Sequence, residues 1–95
     1  MIILITYDVS TEDKAGKNRL RKVAKVCQNY GLRVQNSVFE CEVDSALLLT
    51  IKKKLKEIIL EEKDSLRFYN LGDKRKNIEH YGAKPSFDVT DVLIV

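Results

Sequence analysis

The sequence predicts a single α+β domain in which two helices cover one face of an antiparallel sheet. A chain of 95 residues has room for one hydrophobic core but not for a second core and a linker. Its 44% hydrophobic and 33% charged residues are typical of a globular protein rather than a disordered one. The apolar residues change between the two-residue period of strands and the 3.6-residue period of helices, which indicates both kinds of element.

The opening of the chain predicts a strand and then a helix. Residues 2–7 form a β-branched apolar run too short for a helix, so we expect a buried strand that ends at Asp8. Turn and cap formers follow, and a helix begins at about Ala15. Gly31 is placed to end this helix in a left-handed conformation. The apolar residues of the helix recur on one face: Leu20, Val23, Ala24, Cys27 and Tyr30.

The middle of the chain predicts strand structure followed by a second helix. Residues 33–43 alternate as a strand, but the turn formers Asn36 and Ser37 interrupt them. One bent strand and two short antiparallel strands both remain open. Asp44 is a suitable N-cap for the second helix, which we expect to end in solvent at residues 61–64. Its buried stripe comprises Leu48, Ile51, Leu55, Ile58 and Ile59.

The last third of the chain predicts further strands. Residues 66–71 alternate as a strand, and residues 91–95 form an apolar strand that needs an edge to pair with. That edge belongs either to a two-fold related copy or to the chain's own sheet. We expect one domain, with a core over about residues 1–81 and a C-terminal dimer-pairing segment over residues 82–95. With a turn at Asn36, the order becomes βαββαβ, a ferredoxin-like sandwich with an extra C-terminal strand.

Composition also excludes several classes of protein. The longest apolar runs, residues 1–5 and 46–49, are far shorter than the roughly 20 residues that cross a bilayer. The first run lacks the basic leader of a secretory signal. Two cysteines, Cys27 and Cys41, cannot build a disulfide framework, and both fall on apolar faces typical of a core. We therefore expect a soluble cytoplasmic domain, and one so short gains stability from a partner subunit.

Positive charge is concentrated in the first helix and the strand after it. Seven cations and no acid occur between positions 14 and 39: Lys14, Lys17, Arg19, Arg21, Lys22, Lys25 and Arg33. Like charges four residues apart on a helix repel by a few tenths of a kcal/mol, whereas a phosphate surface favours them by counterion release. A solvated helix face is an equally good interpretation. The lysines between positions 52 and 56 form either a solvated face or a second binding patch.

Asp8 is a candidate metal ligand. A carboxylate at the end of a buried strand, beside a basic helix, can hold Mg²⁺, which needs only one or two carboxylates plus water and phosphate oxygens. Such a metal polarises a phosphate and supplies a water nucleophile. A two-fold axis at this strand end would bring a second Asp8 opposite the first. The simpler interpretation, which the residues alone favour, is that Asp8 caps a turn. The only histidine, His80, is typical of a surface position rather than of a general base.

The first half of the chain contains three motifs: Tyr7-Asp8-Val9-Ser10, Arg19-Leu20-Arg21 and the run from residue 30 to 40, Tyr-Gly-Leu-Arg-Val-Gln-Asn-Ser-Val-Phe-Glu. Together they resemble the small CRISPR-associated Cas2 family. The likeness extends over the first half of the chain in motif detail and over the whole chain in length and element order. It implies a ferredoxin-like homodimer whose C-terminal strands contribute to the dimer. It also implies a Mg²⁺-dependent endonuclease that acts on single-stranded RNA or double-stranded DNA.

The resemblance assigns roles to individual residues. Asp8 corresponds to the metal-binding, catalytic aspartate. The motif arginines Arg19, Arg21 and Arg33 are expected to contact nucleic acid. From the sequence pattern we also predict contacts from Tyr7, Lys17 and Lys25. Phe39 also matches a motif position, although its apolar strand face is typical of a core residue.

The resemblance also implies a partner and leaves a second function open. The family bridges two dimers of the Cas1 integrase when foreign DNA is captured as new spacers for antiviral defence. An architectural DNA-binding dimer that bridges the integrase without any chemistry of its own is the alternative to a hydrolase. A ferredoxin-like regulatory or interaction domain that does not bind duplex DNA is a third.

Overall fold

Six elements alternate along residues 1–72, the part of the chain that the computed structural model describes. Their order is the predicted βαββαβ, so the interruption at Asn36 and Ser37 is a turn between two short strands. The α+β fold class is confirmed. The elements are β1 (Ile2–Asp8), α1 (Lys14–Tyr30), β2 (Leu32–Gln35), β3 (Val38–Glu42), α2 (Ser45–Ile58) and β4 (Ser65–Asn70).

The four strands form one antiparallel sheet in the order β2-β3-β1-β4. β1 lies inside this sheet, with β3 on one side and β4 on the other. An inner strand that is covered on both faces needs a continuous apolar run. This explains why Ile2, Ile3, Leu4 and Ile5 are all at most 2% exposed.

Both helices pack on one face of the sheet. β1 contributes Ile3, Ile5 and Tyr7 to this core. The two helices complete it with their buried stripes: Val23 and Cys27 from α1, Ile51 and Leu55 from α2. Phe39 and Cys41 of β3 are fully buried in this core, as their apolar strand face predicted, and Val43 is nearly so. The other face of the sheet carries a smaller cluster of Leu4, Val34 and Val38, with Tyr69 and Leu71 packed against it.

The two cysteines belong to the core, as predicted. Burial raises the pKa of the Cys27 thiol to about 12 and that of the Cys41 thiol to about 11. Cys41 adds to the rise in the pKa of Cys27, and Glu40 adds to the rise in the pKa of Cys41, but desolvation is the larger cause in both. Both side chains are therefore neutral thiols near pH 7 and act as small apolar groups.

Helix boundaries follow from caps, and one cap differs from the prediction. The carboxylates of Asp13 and Asp44 each accept a hydrogen bond of 2.8 Å from a first-turn amide. Gly31 ends α1, but its φ of −158° is extended rather than left-handed. Glycine suits this position because a Cβ would overlap the sulfur of Cys41 and lie 2.5 Å from the carbonyl oxygen of Glu40.

The end of α2 differs from the sequence expectation. α2 ends at Ile58, and Asp64, expected in a solvated segment, is only 6% exposed. The predictions for His80 and residues 82–95 lie outside the described residues. Within residues 1–72, neither helix has the length and apolar character needed to cross a membrane.

Candidate nucleic-acid interface and metal site

The outer face of α1 is uniformly basic. The apolar stripe of α1 faces the sheet, so the polar residues on the opposite side of the helix face solvent. The exposed cations on this helix are Lys14, Lys17, Arg21, Lys22 and Lys25. Because α1 contains no acidic residue between Lys14 and Tyr30, its outer face is a continuous positive surface.

A cavity of about 400 Å³ opens where this basic surface meets the end of β1 and the β2–β3 turn. It contains four of the seven residues predicted to form the site: Tyr7, Lys17, Arg21 and Arg33. Leu20 and Ala24 form its apolar floor, and Asn36 and Ser37 form one wall. We call this feature the cationic cavity. Three cations around one concave surface are suited to a phosphate group.

The guanidinium of Arg33 is held in place by two contacts. Its central carbon lies 5.0 Å from the ring centroid of Phe39, and Nη1 donates a hydrogen bond of 3.2 Å to the carbonyl oxygen of Asn36. Phe39 stacks in turn on Tyr7, with ring centroids 6.2 Å apart. Phe39 is therefore a core residue, as expected, and it also supports Arg33. The other N–H groups of Arg33 are open to an anion because the side chain is exposed.

Tyr7 is only 5% exposed, and it shapes the cationic cavity. Its hydroxyl donates a hydrogen bond of 3.3 Å to the carbonyl oxygen of Asn36, the same atom that Arg33 contacts. Burial raises the pKa of the Tyr7 phenol above its usual value, Cys27 adds to this effect, and Arg33 opposes it. Tyr7 is therefore a neutral hydroxyl near pH 7 that ties β1 to the β2–β3 turn.

Asp8 lies at the end of β1 beside Ser65 of β4, and it is exposed. Tyr7 and Val9 belong to the helix-side core, so strand alternation directs the Asp8 side chain to the opposite face of the sheet. Asp8 and the cationic cavity thus share one end of β1 but lie on different faces. Nothing in residues 1–72 forms a hydrogen bond or ion pair with the Asp8 carboxylate.

An exposed carboxylate that has no partner within residues 1–72 fits Mg²⁺ as one ligand among several. Among the described residues, no three His, Cys, Asp or Glu side chains come together to hold a metal. One described subunit therefore offers a partial site. Mg²⁺ tolerates this arrangement because it retains water molecules and accepts phosphate oxygens.

Arg19 lies apart from the cations that line the cavity. Its side chain is 12% exposed, and its Nε lies 2.8 Å from Oδ2 of Asp64, whose side chain is fully buried. A contact of Arg19 with nucleic acid stays a prediction, and this ion pair weakens it because the charge is already neutralised within the fold. Sequence reasoning missed Asp64, since no periodicity distinguishes this acid from Glu61 and Glu62 before it.

The other predicted cations also differ in their surroundings. Lys25 is exposed on the basic face of α1 but does not line the cavity. On α2, Lys54 donates a hydrogen bond of 2.7 Å to the Tyr30 hydroxyl, and Lys52 lies 5.3 Å from the Phe68 ring centroid. These two lysines tie α2 to α1 and β4, which leaves α2 a weaker candidate for a second binding patch.

Fold and site together define a ferredoxin-like α+β domain with one strongly basic helix face and an exposed acid at the end of its inner strand. The family model described as CRISPR associated protein Cas2 matches residues 1–78. The chain therefore belongs to the Cas2 family, and the resemblance seen in its motifs is confirmed.

Relatives and solved structures agree with this assignment. A protein of Halalkalibacterium halodurans named CRISPR-associated endonuclease Cas2 is 62% identical over 99% of both chains. One of Nitratidesulfovibrio vulgaris, named CRISPR-associated endoribonuclease Cas2, is 53% identical over 100% of this chain and 94% of its own. The crystal structure of Streptococcus pyogenes Cas2 at pH 6.5 has a TM-score of 0.75 and 54% identity, covering 86% of this chain and 100% of that one.

Acid should destabilise this chain through Asp64. The hydrogen-bonded guanidinium of Arg19 lowers the pKa of Asp64 to about 2, the amides of Leu60 and Ser10 add to this, and burial opposes it. A carboxyl whose pKa is lowered on folding stabilises the protein above its unfolded-state pKa. This contribution, roughly 2 kcal/mol, should be lost as the pH falls from about 4 towards 2.

Urea unfolding of the wild type and of Asp64→Asn across this pH range measures the effect. The wild type should be the more stable protein near neutral pH, and the difference in free energy of unfolding should shrink in acid. A difference that stays constant from neutral pH to about pH 2 would contradict the assignment.

Proposed function

We propose that this chain is a nucleic-acid-binding endonuclease that uses Mg²⁺ at Asp8 to hydrolyse phosphodiester bonds in single-stranded RNA or double-stranded DNA. The cationic cavity carries the binding part of this proposal, because three cations surround one concave surface. The catalytic part is supported by the exposed Asp8 carboxylate. It is also supported by the names of the two relatives, one an endonuclease and the other an endoribonuclease.

Binding begins with electrostatic attraction to the backbone of the nucleic acid. Phosphates that meet the outer face of α1 release condensed counterions, which provides most of the affinity and makes it depend on salt. In the cavity, the fixed guanidinium of Arg33 donates hydrogen bonds to one phosphate, while Lys17 and Arg21 add mobile positive charge. No sequence preference follows from these contacts, since they read the backbone rather than the bases.

The chemical step depends on what meets at the end of β1. Mg²⁺, when bound, polarises the phosphate and lowers the pKa of a coordinated water. Asp8 supplies one anionic ligand and fixes the site at the strand end. A nucleic-acid strand bound in the cationic cavity must pass over the end of β1 to bring a phosphate to Asp8. This is because the cavity and Asp8 lie on different faces of the sheet.

We propose a homodimer in which two Asp8 side chains approach each other. Asp8 lies on the sheet face that neither helix covers in residues 1–72. An isologous contact across a two-fold axis at the exposed Asp8 end of this face would repeat every contact. It would place two carboxylates near one phosphodiester. Mg²⁺ is commonly bound by one or two protein carboxylates together with water and phosphate oxygens.

Membership of the Cas2 family supports a cytoplasmic role in antiviral defence, with the Cas1 integrase as partner in spacer acquisition. A second function is an architectural one, in which the basic dimer holds duplex DNA for the integrase without cutting it. The outer face of α1 favours this alternative, since its five exposed cations can hold duplex DNA without a metal at Asp8. A substitution of Asp8 distinguishes the two functions, because only cleavage depends on its carboxylate.

Replacement of Asp8 by asparagine should abolish Mg²⁺-dependent cleavage. The amide has no negative charge and is a poor ligand for a hard cation, whereas the basic face of α1 is unchanged. Duplex affinity measured without divalent cations should therefore stay within about twofold, well below the factor of ten that corresponds to 1.4 kcal/mol.

The measurement compares cleavage, DNA affinity and Cas1-dependent spacer integration for the wild type and this variant. Loss of cleavage with retained integration would separate the architectural role from the nuclease. Cleavage by Asp8→Asn at the wild-type rate would remove the catalytic proposal, because it would indicate a contaminating nuclease.

Removal of cations from the cavity should weaken binding and its salt dependence. The double variant Lys17→Ala and Arg21→Ala should bind duplex DNA less tightly. The slope of log affinity against log salt should become smaller by about 0.9 for each phosphate that the variant no longer neutralises. The matched control is Lys53→Ala with Lys56→Ala, which removes the same charge from exposed positions of α2.

Fluorescence anisotropy over a salt series measures both quantities. The control should keep a slope closer to that of the wild type. Equal effects of the two double variants on affinity and slope would show that net charge alone, rather than the cationic cavity, determines binding.

A further inference from the structure

A buried carboxylate that the proposed chemistry does not use lies next to the end of β1. The Asp64 side chain has no exposed surface. It accepts hydrogen bonds from the Ser10 amide at 3.0 Å, the Leu60 amide at 2.9 Å, and Arg19 Nε and Nη2 at 2.8 and 3.3 Å. Three separate segments of the chain therefore meet at one carboxylate: the β1–α1 connection, α1 itself and the α2–β4 connection.

Ser10 is held at both of its backbone groups. Its N–H donates to Oδ1 of Asp64. Its carbonyl group lies so close to Gly16 that a Cβ there would overlap the carbonyl oxygen and lie 3.0 Å from the carbonyl carbon. The start of α1 thus packs directly against Ser10, which is two residues after Asp8. The chain has little freedom at this point.

Asp64 is also connected to Asp8 through the backbone of β4. Asp8 pairs with Ser65 in the β1–β4 ladder, and Asp64 directly precedes Ser65. Asp64 is therefore bonded to the segment that follows Asp8 and belongs to the segment that pairs with Asp8. These two connections determine the direction of the last residue of β1.

Arg19 is part of the same arrangement. A buried carboxylate without a cation would carry a large desolvation cost, and an unpaired one destabilises a fold by several kcal/mol. The bidentate contact of Arg19 with Asp64 satisfies this charge and uses two of the five N–H donors of the guanidinium. Arg19 therefore has a structural role in the fold beside its predicted contact with nucleic acid.

We propose that Asp64, with Arg19, is a positioning residue for Asp8. It holds the β1–α1 connection in one conformation and thereby orients the Asp8 carboxylate towards the metal. This inference rests on the proposed function at Asp8. A site that offers one exposed carboxylate per subunit depends strongly on orientation, because a displacement of about 1 Å can reduce the rate by as much as about 100-fold.

Two variants disturb the connection by different routes. Asp64→Asn keeps one acceptor oxygen but loses the charge and one of the two accepting positions. Gly16→Ala displaces the Ser10 carbonyl but leaves the carboxylate of Asp64 and its charge in the sequence. Both should lower kcat about tenfold or more and raise the Mg²⁺ concentration needed for half-maximal cleavage. KM for the nucleic acid should change by less than about twofold, well below the factor of ten that corresponds to 1.4 kcal/mol.

Ile51→Val is the matched control for a simple loss of stability. It removes one methylene from the helix-side core, at a position that forms none of the hydrogen bonds around Asp64, and costs about 0.5–1.5 kcal/mol. All variants are compared at a temperature where circular dichroism shows them folded. The control should keep the wild-type kcat. An equal fall in kcat for Ile51→Val, or a wild-type kcat for folded Asp64→Asn, would overturn the positioning role.

A second measurement does not depend on cleavage. Low concentrations of Mn²⁺ should broaden the amide NMR signals of Asp8, Val9 and Ser10 in the wild type. In Asp64→Asn, the same broadening should need at least several-fold more Mn²⁺. Equal titrations for the two proteins would overturn the proposal.

The two proposals fail in different ways. A wild-type chain that binds Mn²⁺ at Asp8 but cleaves nothing overturns the nuclease, and the Mn²⁺ titration then decides the role of Asp64. A wild-type chain that shows no broadening at Asp8 overturns the metal site and the positioning role together.

Discussion

The inner position of β1 is the constraint on which the rest of the structure depends. β1 pairs with β3 on one side and β4 on the other, so its register determines which side chains reach each face of the sheet. Tyr7 enters the helix-side core and supports the cationic cavity, whereas Asp8 faces the opposite side. Because alternation along a strand is strict, a shift by one residue would exchange these two positions. The proposed binding and metal sites would then lose their relation to each other.

Electrostatics divides the cations of this chain into two groups. Lys17, Arg21 and Arg33 surround a concave surface and are open to an anion. Arg19 lies on the same helix as the first two but forms a buried ion pair with Asp64. The first group suits backbone recognition, while the second holds the connection that follows Asp8. Identical residue types in one basic run therefore serve different physical purposes, and only their depth in the fold separates them.

The fold could be predicted from local patterns to a large extent. The apolar run of β1, the helical stripe ending at Tyr30 and the cap at Asp44 are all encoded by neighbours in the sequence. The cationic residues of the cavity could be predicted from the sequence, but the cavity itself could not. Its residues come together only through sheet pairing and helix packing. The ion pair of Arg19 with Asp64 could not be predicted from periodicity. It joins residues 45 positions apart, and a single acid after a helix carries no pattern of its own.

The central claim is that Asp8 and a phosphate bound near the cavity hold a metal ion together. Measurement of metal binding tests this claim most directly. Free Mn²⁺ can be followed by electron paramagnetic resonance for the wild type and for Asp8→Asn, with and without a duplex that resists cleavage. We predict that the duplex tightens Mn²⁺ binding to the wild type, because phosphate oxygens complete the coordination, and that Asp8→Asn loses this gain. Equal Mn²⁺ affinity with and without the duplex, or an undiminished gain in Asp8→Asn, would contradict it.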